Sequence, residues 1–385
     1  MIIYNAKIYP MDGDIIPRGY VRTENGKIAE VAHGTPKSVS SEDIDAQGMI
    51  LMPGLVDIHT HMGFIGDGAG EECTDVNEGS DPITPQLRAI DGLNFRDGYF
   101  TDAVKAGVTS VVAGVGSLNP IGGDMIALKT SADCLDSAVI RTVGIKFAFG
   151  ENPKSRYSEN DDPPQTRMAT AALIREALYK AKHYMQDKQA AENDPELSLP
   201  EYDIKCEALI PLLKGEVKAH MHCHRADDIM TALRICDEFS LKPLLVHCTE
   251  GYLIGDILAK RGAEVVVGPI ISDRGKPELA NLTPENAAKL FAAGIRPAIC
   301  TDHPEVPINY LSLSAAICAK HGLPREAALS AITSRAAEIG SVSDRVGTLT
   351  VGKDADMILI DSDPLDVFSN VVMTVIDGKI VYGKV

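Results

Sequence analysis

Pro53-Gly54-Leu55-Val56-Asp57-Ile58-His59-Thr60-His61 reads as a short apolar strand that ends on two histidines. Side chains two apart on a strand point to one face, so both imidazoles aim at a common point. Such a pair is a natural two-point grip on a divalent cation. Taken alone, it is equally compatible with two hydrogen-bonded histidines in a polar loop. Three further groups shift the balance. His222 follows Val217-Lys218-Ala219, His247 ends Leu244-Leu245-Val246, and Asp302 follows Ala298-Ile299-Cys300-Thr301. Their separations match successive strand-helix units, with Glu264-Val265-Val266-Val267 as the strand between the last two. In a βα barrel the carboxyl ends of all strands open on one face, where such folds carry their active sites. A carboxylate buried there without a cation would be costly, so the set reads as a metal centre.

Between Pro53 and Gly340, short apolar strands alternate with amphipathic helical stretches, which is α/β text. The spacing predicts a helix over Ala226 to Phe239. A second follows Thr283-Pro284-Glu285 and stops at Gly294, with a strand over Arg296 to Cys300 after it. Polar residues 186–200, with Pro195 and Pro200, read as a surface loop between helices. The expected architecture is a (β/α)8 TIM barrel, although a doubly wound sheet produces similar text. The two ends differ from the middle. Asn25-Gly26 and Asp377-Gly378 each sit between extended stretches, the signature of a tight hairpin. Short hairpins are marginal alone, so residues 1–52 and 341–385 are expected to pack as one small β-sandwich domain, with the barrel over 53–340.

Composition excludes several classes. The longest apolar runs among the 385 residues are strand-length, well short of a membrane-spanning helix. The start shows no leader pattern, and eight scattered cysteines lack CxxC spacing, so a cytoplasmic protein with reduced thiols is expected. Lys and Arg number 37 against 54 Asp and Glu, a formal charge of −17 that repels nucleic acid. A small molecule is therefore the expected partner.

The chain resembles the amidohydrolase superfamily. The 53–61 stretch, His222, His247, Thr301-Asp302-His303 and Gly352-Lys353-Asp354-Ala355-Asp356 follow that family's motifs in order, over nearly the whole length. Gly150-Glu151-Asn152-Pro153-Lys154 and His222-Cys223-His224-Arg225-Ala226-Asp227-Asp228 are most similar to its imidazolonepropionase-related branch. The resemblance implies a metal-bearing barrel flanked by a β-sandwich, and hydrolysis of an amide or cyclic amide. It assigns His59, His61 and Asp302 to a first metal, and His222 and His247 to a second where one is present. His220 and His224 alternate onto the same strand face as His222. A bridging ligand from a middle strand is expected to be Glu151 by its place near the strand end, with a carboxylated Lys146 as the rival. Zinc is the expected ion, one or two per chain, and manganese, iron or cobalt suit the same donors.

A divalent cation lowers the pKa of its water toward ~7 and polarises a carbonyl, both of which suit amide hydrolysis. Asp302 is then placed to accept the proton and return it to the leaving nitrogen. Arg225 and His303 are the candidate substrate contacts, Arg225 for a carboxylate; an ion pair with Asp227 or Asp228 would account for it equally. Cys223, Cys248 and Cys300 alternate away from the ligands and are expected to pack in the core. Two rivals stand beside the amide hydrolase. A hydrolytic deaminase of the same superfamily usually carries a glutamate three residues beyond the fifth-strand histidine, where this chain has Arg225. A non-catalytic barrel scaffold would be expected to lose ligands that this chain keeps. The acidic, glycine-rich stretch 64–96 is expected to wall the site, and a barrel of this kind is compatible with a homo-oligomer.

Overall fold

In the computed structural model of the chain, which describes residues 1–66, 73–158 and 161–383, the hairpin chemistry is the first thing realised. Asn25 and Gly26 take φ of 51° and 76°, and Asp377 and Gly378 take 47° and 74°, the left-handed pair that a two-residue hairpin turn requires. In chain order the strands are β1 (Ile2–Ile8), β2 (Ile16–Glu24), β3 (Lys27–His33), β4 (Ile44–Asp45) and β5 (Ile50–Pro53). The central run is β6 (Leu55–Thr60), β7 (Val108–Gly114), β8 (Ile121–Lys129), β9 (Val139–Ala148), β10 (Lys218–Cys223), β11 (Pro243–His247), β12 (Glu264–Val267) and β13 (Ala298–Ile299). The C-terminal strands are β14 (Met357–Ile360), β15 (Val371–Ile376) and β16 (Lys379–Gly383).

The chain ends join. One connected sheet of eight strands runs β16-β15-β14-β5-β1-β2-β3, with β4 beside β1. Ile3, Ile8, Val21 and Leu51 from the N-terminal side share one buried cluster with Met357, Leu359, Met373 and Val375. Burying a Leu, Ile or Val fully is worth about 1.5–3 kcal/mol, so neither half is expected to hold this cluster alone.

The other sheet orders its eight strands consecutively from β6 to β13. Backbone bonds from Asp302 N to His59 O (3.1 Å) and from His61 N to His303 O (2.8 Å) cross between the ends of β13 and β6 and close the barrel. Seven strands are parallel. β8 alone is antiparallel to both neighbours, β7 and β9. An all-parallel barrel would need a helical crossover before β8, but only residues 115–120 separate it from β7, and so short a link reverses the chain.

Helices cover the outside. Ala226–Phe239 is helical as its spacing predicts and buries Ile229, Leu233 and Cys236 in the same cluster as Met221 and Cys223 of β10. The helix expected to begin at Pro284 starts only at Asn286 and ends at Ala292, and the strand expected over 296–300 shortens to Ala298–Ile299. The largest departure is at 186–200. The helix Arg167–Asn193 runs through the first half of that stretch, because Gln, Lys, Ala and Glu favour helix and the first proline comes only at Pro195. Tyr184 and Lys188 fasten it to Glu207 of the next helix at 2.6 and 2.5 Å. Among the described residues, no helix is long and apolar enough to cross a membrane.

Candidate metal centre

Register decides which side chains meet. Parallel pairing sets His220 beside Lys146 and His222 beside Ala148, so His220 lies one layer deeper in the barrel than His222. His59, His61, His222, His247 and Asp302 all stand at strand ends on one face of the barrel and are buried. They converge as two groups. His59, His61 and Asp302 bring ligand atoms within 4.8 Å of one another, and so do His222, His224 and His247. The groups adjoin, with the His59 and His247 rings 5.5 Å apart between centroids.

Hydrogen bonds orient the rings. His61 Nδ1 lies 2.9 Å from Gly114 O, and His247 Nδ1 lies 2.8 Å from Gly268 O. A carbonyl oxygen only accepts, so each Nδ1 carries the proton and each Nε2 is left with a lone pair. The Nε2 atoms of His59 and His61 both lie 3.4 Å from Asp302 Oδ1. Burial and neighbouring charge press the imidazoles toward the neutral form a metal needs: His59 and His222 fall well below the ordinary histidine range, and His247 to about 4. Burial alone would raise Asp302, but His247 and His61 outweigh it and hold the carboxyl down at about 2. Both ring nitrogens of His222, Nδ1 of His59 and Oδ1 of Asp302 are buried without a hydrogen-bond partner. Buried polar atoms are rarely left so, and this donor set fits divalent metal.

Lys146 reaches the same place. Its buried Nζ lies 3.0 Å from His59 Nε2, and desolvation lowers its pKa to about 8. Glu151 does not join it. β9 ends at Ala148, and Glu151 opens the following helix, where its Oε2 accepts a 3.2 Å bond from Glu278 N. Proximity to the strand end in sequence was the wrong guide, because the chain has left the strand direction by that point.

A cavity of about 440 Å³ opens over the two groups, lined by His61, His222, His224 and Asp302 together with loop residues. Neither proposed substrate contact lines it. Arg225 precedes the helix Ala226–Phe239 and turns to Asp227, with Nε and Nη2 at 3.0 and 2.9 Å from its carboxylate. His303 is buried against the Tyr99 ring at 4.1 Å, and its Nδ1 accepts a 3.1 Å bond from Ile308 N. Asn77 of the 64–96 stretch does line the cavity, while residues 67–72 of that stretch lie outside the described residues. Cys223, Cys248 and Cys300 are all fully buried.

Asp57 is a residue the sequence reading passed over. Fully buried, it accepts from Thr301 Oγ1 (2.6 Å), Thr301 N (3.0 Å) and His59 N (3.2 Å), tying the first strand to the residue before Asp302. A carboxylate two positions before His59 on the same strand was the available signal. Burial raises its pKa to about 7.

Fold and paired ligand groups define a barrel hydrolase that acts on carbon–nitrogen bonds with the help of metal. The chain belongs to the amidohydrolase family. The model of the amidohydrolase family matches residues 214–382. A solved structure of an amidohydrolase from Thermotoga maritima MSB8 is 38% identical, with a TM-score of 0.96 over 100% of both chains. Amidohydrolase tasK of Hapsidospora irregularis is 30% identical over 94% of this chain, which spans 39% of that protein's length. Imidazolonepropionase of Thermoplasma volcanium is 24% identical over 91% of this chain and 85% of its own.

Proposed function

We propose that the chain hydrolyses the C–N bond of a small amide or cyclic amide, with His59, His61 and Asp302 holding one divalent ion and His222 and His247 a second. The observation that carries this reading is the convergence of the two ligand groups beneath one cavity. Zinc is the ion we assign, on the nitrogen-rich donor set. A divalent ion held there supplies Lewis-acid polarisation and acidifies water toward neutral pH. Asp302, ionised at neutral pH, takes the proton from the attacking water and delivers it to the leaving nitrogen as the C–N bond breaks. We assign the bridging place to Lys146, carboxylated on Nζ, in preference to Glu151. His224, held by Thr249 Oγ1 at 2.8 Å, stacks on His247 at 4.6 Å and supports that ring. Asp57 holds Thr301, and through it the turn that presents Asp302.

Arg225 speaks against the deaminase reading. The position where a deaminase carries an acid holds a guanidinium that is engaged with Asp227 away from the cavity. We further propose a cytoplasmic protein with reduced thiols, since all eight cysteines are unpaired, and a small-molecule enzyme without affinity for nucleic acid at a charge of −17.

Chelation followed by metal reconstitution tests the reading. Hydrolysis of N-acyl amino acids, dipeptides or cyclic amides should disappear with the metal and return with Zn²⁺, Mn²⁺ or Co²⁺. Turnover that survives complete removal of metal would refute it.

A further inference from the structure

Glu151 does not reach the ligand groups, but with Gly150 it cradles a carboxylate that approaches them. Glu278, in the turn Pro277–Leu279 after β12, is 1% exposed. Its Oε2 accepts a 3.0 Å bond from Glu151 N at the start of the helix Glu151–Ser158, and Glu278 N donates back to Glu151 Oε2. A helix N-terminus favours negative charge at that place. Gly150, at a φ of 84°, makes the room: a Cβ on it would stand 2.6 Å from Glu278 Oε2.

The other oxygen is not provided for. Oε1 is buried without a hydrogen bond, and Glu278 forms no ion pair with a lysine or arginine among the described residues. Asp228, the second buried acid beside Gly150, is by contrast held by Arg167 Nε at 3.1 Å. What Oε1 faces is His224 Nε2, at 3.7 Å. A lone pair on that nitrogen would oppose the carboxylate, whereas a proton there is drawn to it. The opposite side of the ring allows this, since His224 Nδ1 lies 2.8 Å from Thr249 Oγ1 and a hydroxyl can donate as well as accept. His61 and His247 are oriented the other way, with a carbonyl oxygen at Nδ1 and a lone pair left on Nε2. With its proton on Nε2 and its Nδ1 accepting from Thr249, His224 keeps no lone pair for an ion.

We infer that Glu278 holds the Nε2 proton of His224 and so withholds that ring from the ion bound by His222 and His247, leaving the ion one ligand short of a closed set. His224 has a ligand atom within 4.8 Å of those of His222 and His247, so distance alone does not keep it out. Three imidazoles and a bridging group would complete four-coordinate zinc, whereas catalytic zinc keeps a position open. Glu278 is thus a positioning residue that acts through His224. The inference rests on the two-ion reading above and deepens it.

Two measurements test it. Long-range ¹H–¹⁵N NMR of the metal-free chain with labelled histidine reads the proton, the His224 signals being identified by their loss in His224→Phe. His224 should carry its proton on Nε2 in the natural chain. In Glu278→Gln it should carry it on Nδ1, because the glutamine oxygen stays on Glu151 N and its NH₂ then faces the ring. Competition titration with Co²⁺ alone reads the ligands. His224→Phe keeps a ring against His247 and should change neither affinity by more than about twofold, as for a residue outside the donor set. In the Glu278→Met background, where His224 is free to bind, the same substitution should weaken one ion by about ten- to a hundred-fold, the scale on which groups around a metal move its affinity. A proton on Nδ1 in the natural chain, or an equal His224→Phe effect in both backgrounds, would overturn the inference, and two bound Co²⁺ would still leave the hydrolase reading standing. A natural chain that takes up no Co²⁺ would remove that reading and the withholding with it. If Glu278→Met does not fold, the proton position in the natural chain and in Glu278→Gln decides alone.

Discussion

At His247, Cys248 and Asp302 the backbone is left-handed, with φ of 70°, 47° and 54°. Residues with side chains visit that region at a cost of order 1–3 kcal/mol, and such strain collects where geometry serves function. Two predictions belong to single residues. Asp302→Asn should lower kcat by about 10²–10⁴-fold, the range for losing a proton-transfer group, with the circular dichroism spectrum unchanged. Elemental analysis should find His59→Ala depleted of one ion and His222→Ala of the other. Equal loss of both ions in both variants would mean that the two groups do not hold separate metals.

Among elements, the barrel is closed by Asp57 on β6, which reaches across to Thr301 beyond β13. Asp57→Ala would leave the Thr301 amide and hydroxyl buried without an acceptor, about 1–3 kcal/mol for each. The chain should therefore lose about 2–5 kcal/mol of stability in denaturant titration, with weaker metal retention as the Asp302 turn loosens. The elements also show how far local pattern reached. Both hairpins and the helix Ala226–Phe239 were legible, because turn chemistry and amphipathic spacing are local properties. The reversal of β8 was not, since strand direction depends on the link before it rather than on residues within it. Helix persistence to Asn193 was missed for the opposite reason. Polar composition suggested a loop, while intrinsic helix preference continued to the first proline.

On the scale of the whole molecule, Lys129 of β8 joins the barrel to the sheet built from the chain ends. Nearly fully buried, its Nζ meets Asp356 at 2.5 Å, Asp354 at 2.9 Å and Asp377 at 3.4 Å. Arg345 and Lys27 add their own bonds to Asp354, at 2.7 and 2.5 Å. The Gly352-to-Asp356 motif thus serves as a joint between the sheets, away from the reacting groups. Lys129→Met strands buried carboxylates and should cost about 3–5 kcal/mol, read as a fall in Tm. Burial would raise the Asp354 pKa, but the Arg345 bonds and the Lys129 charge outweigh it and hold the carboxyl below the ordinary range. The folded chain therefore binds fewer protons than the unfolded one in acid. The contribution is complete above about pH 4 and is lost as the pH falls further. Asp354→Asn should accordingly lower Tm at neutral pH and flatten its decline below pH 4; an unchanged acid slope would take Asp354 out of that role.

What the sequence determined by itself was the set of histidines and the aspartate at strand ends, the alternating middle and the hairpins at both ends. Each is a matter of spacing along one element, where the pleat or the helical turn fixes which side chains share a face. Tertiary structure alone decided that Lys146 and not Glu151 reaches His59, and that Arg225 turns to Asp227. Past the last residue of a strand the periodic rule lapses. Where a loop side chain points is then set by the packing of segments far apart in the chain, which no local pattern encodes.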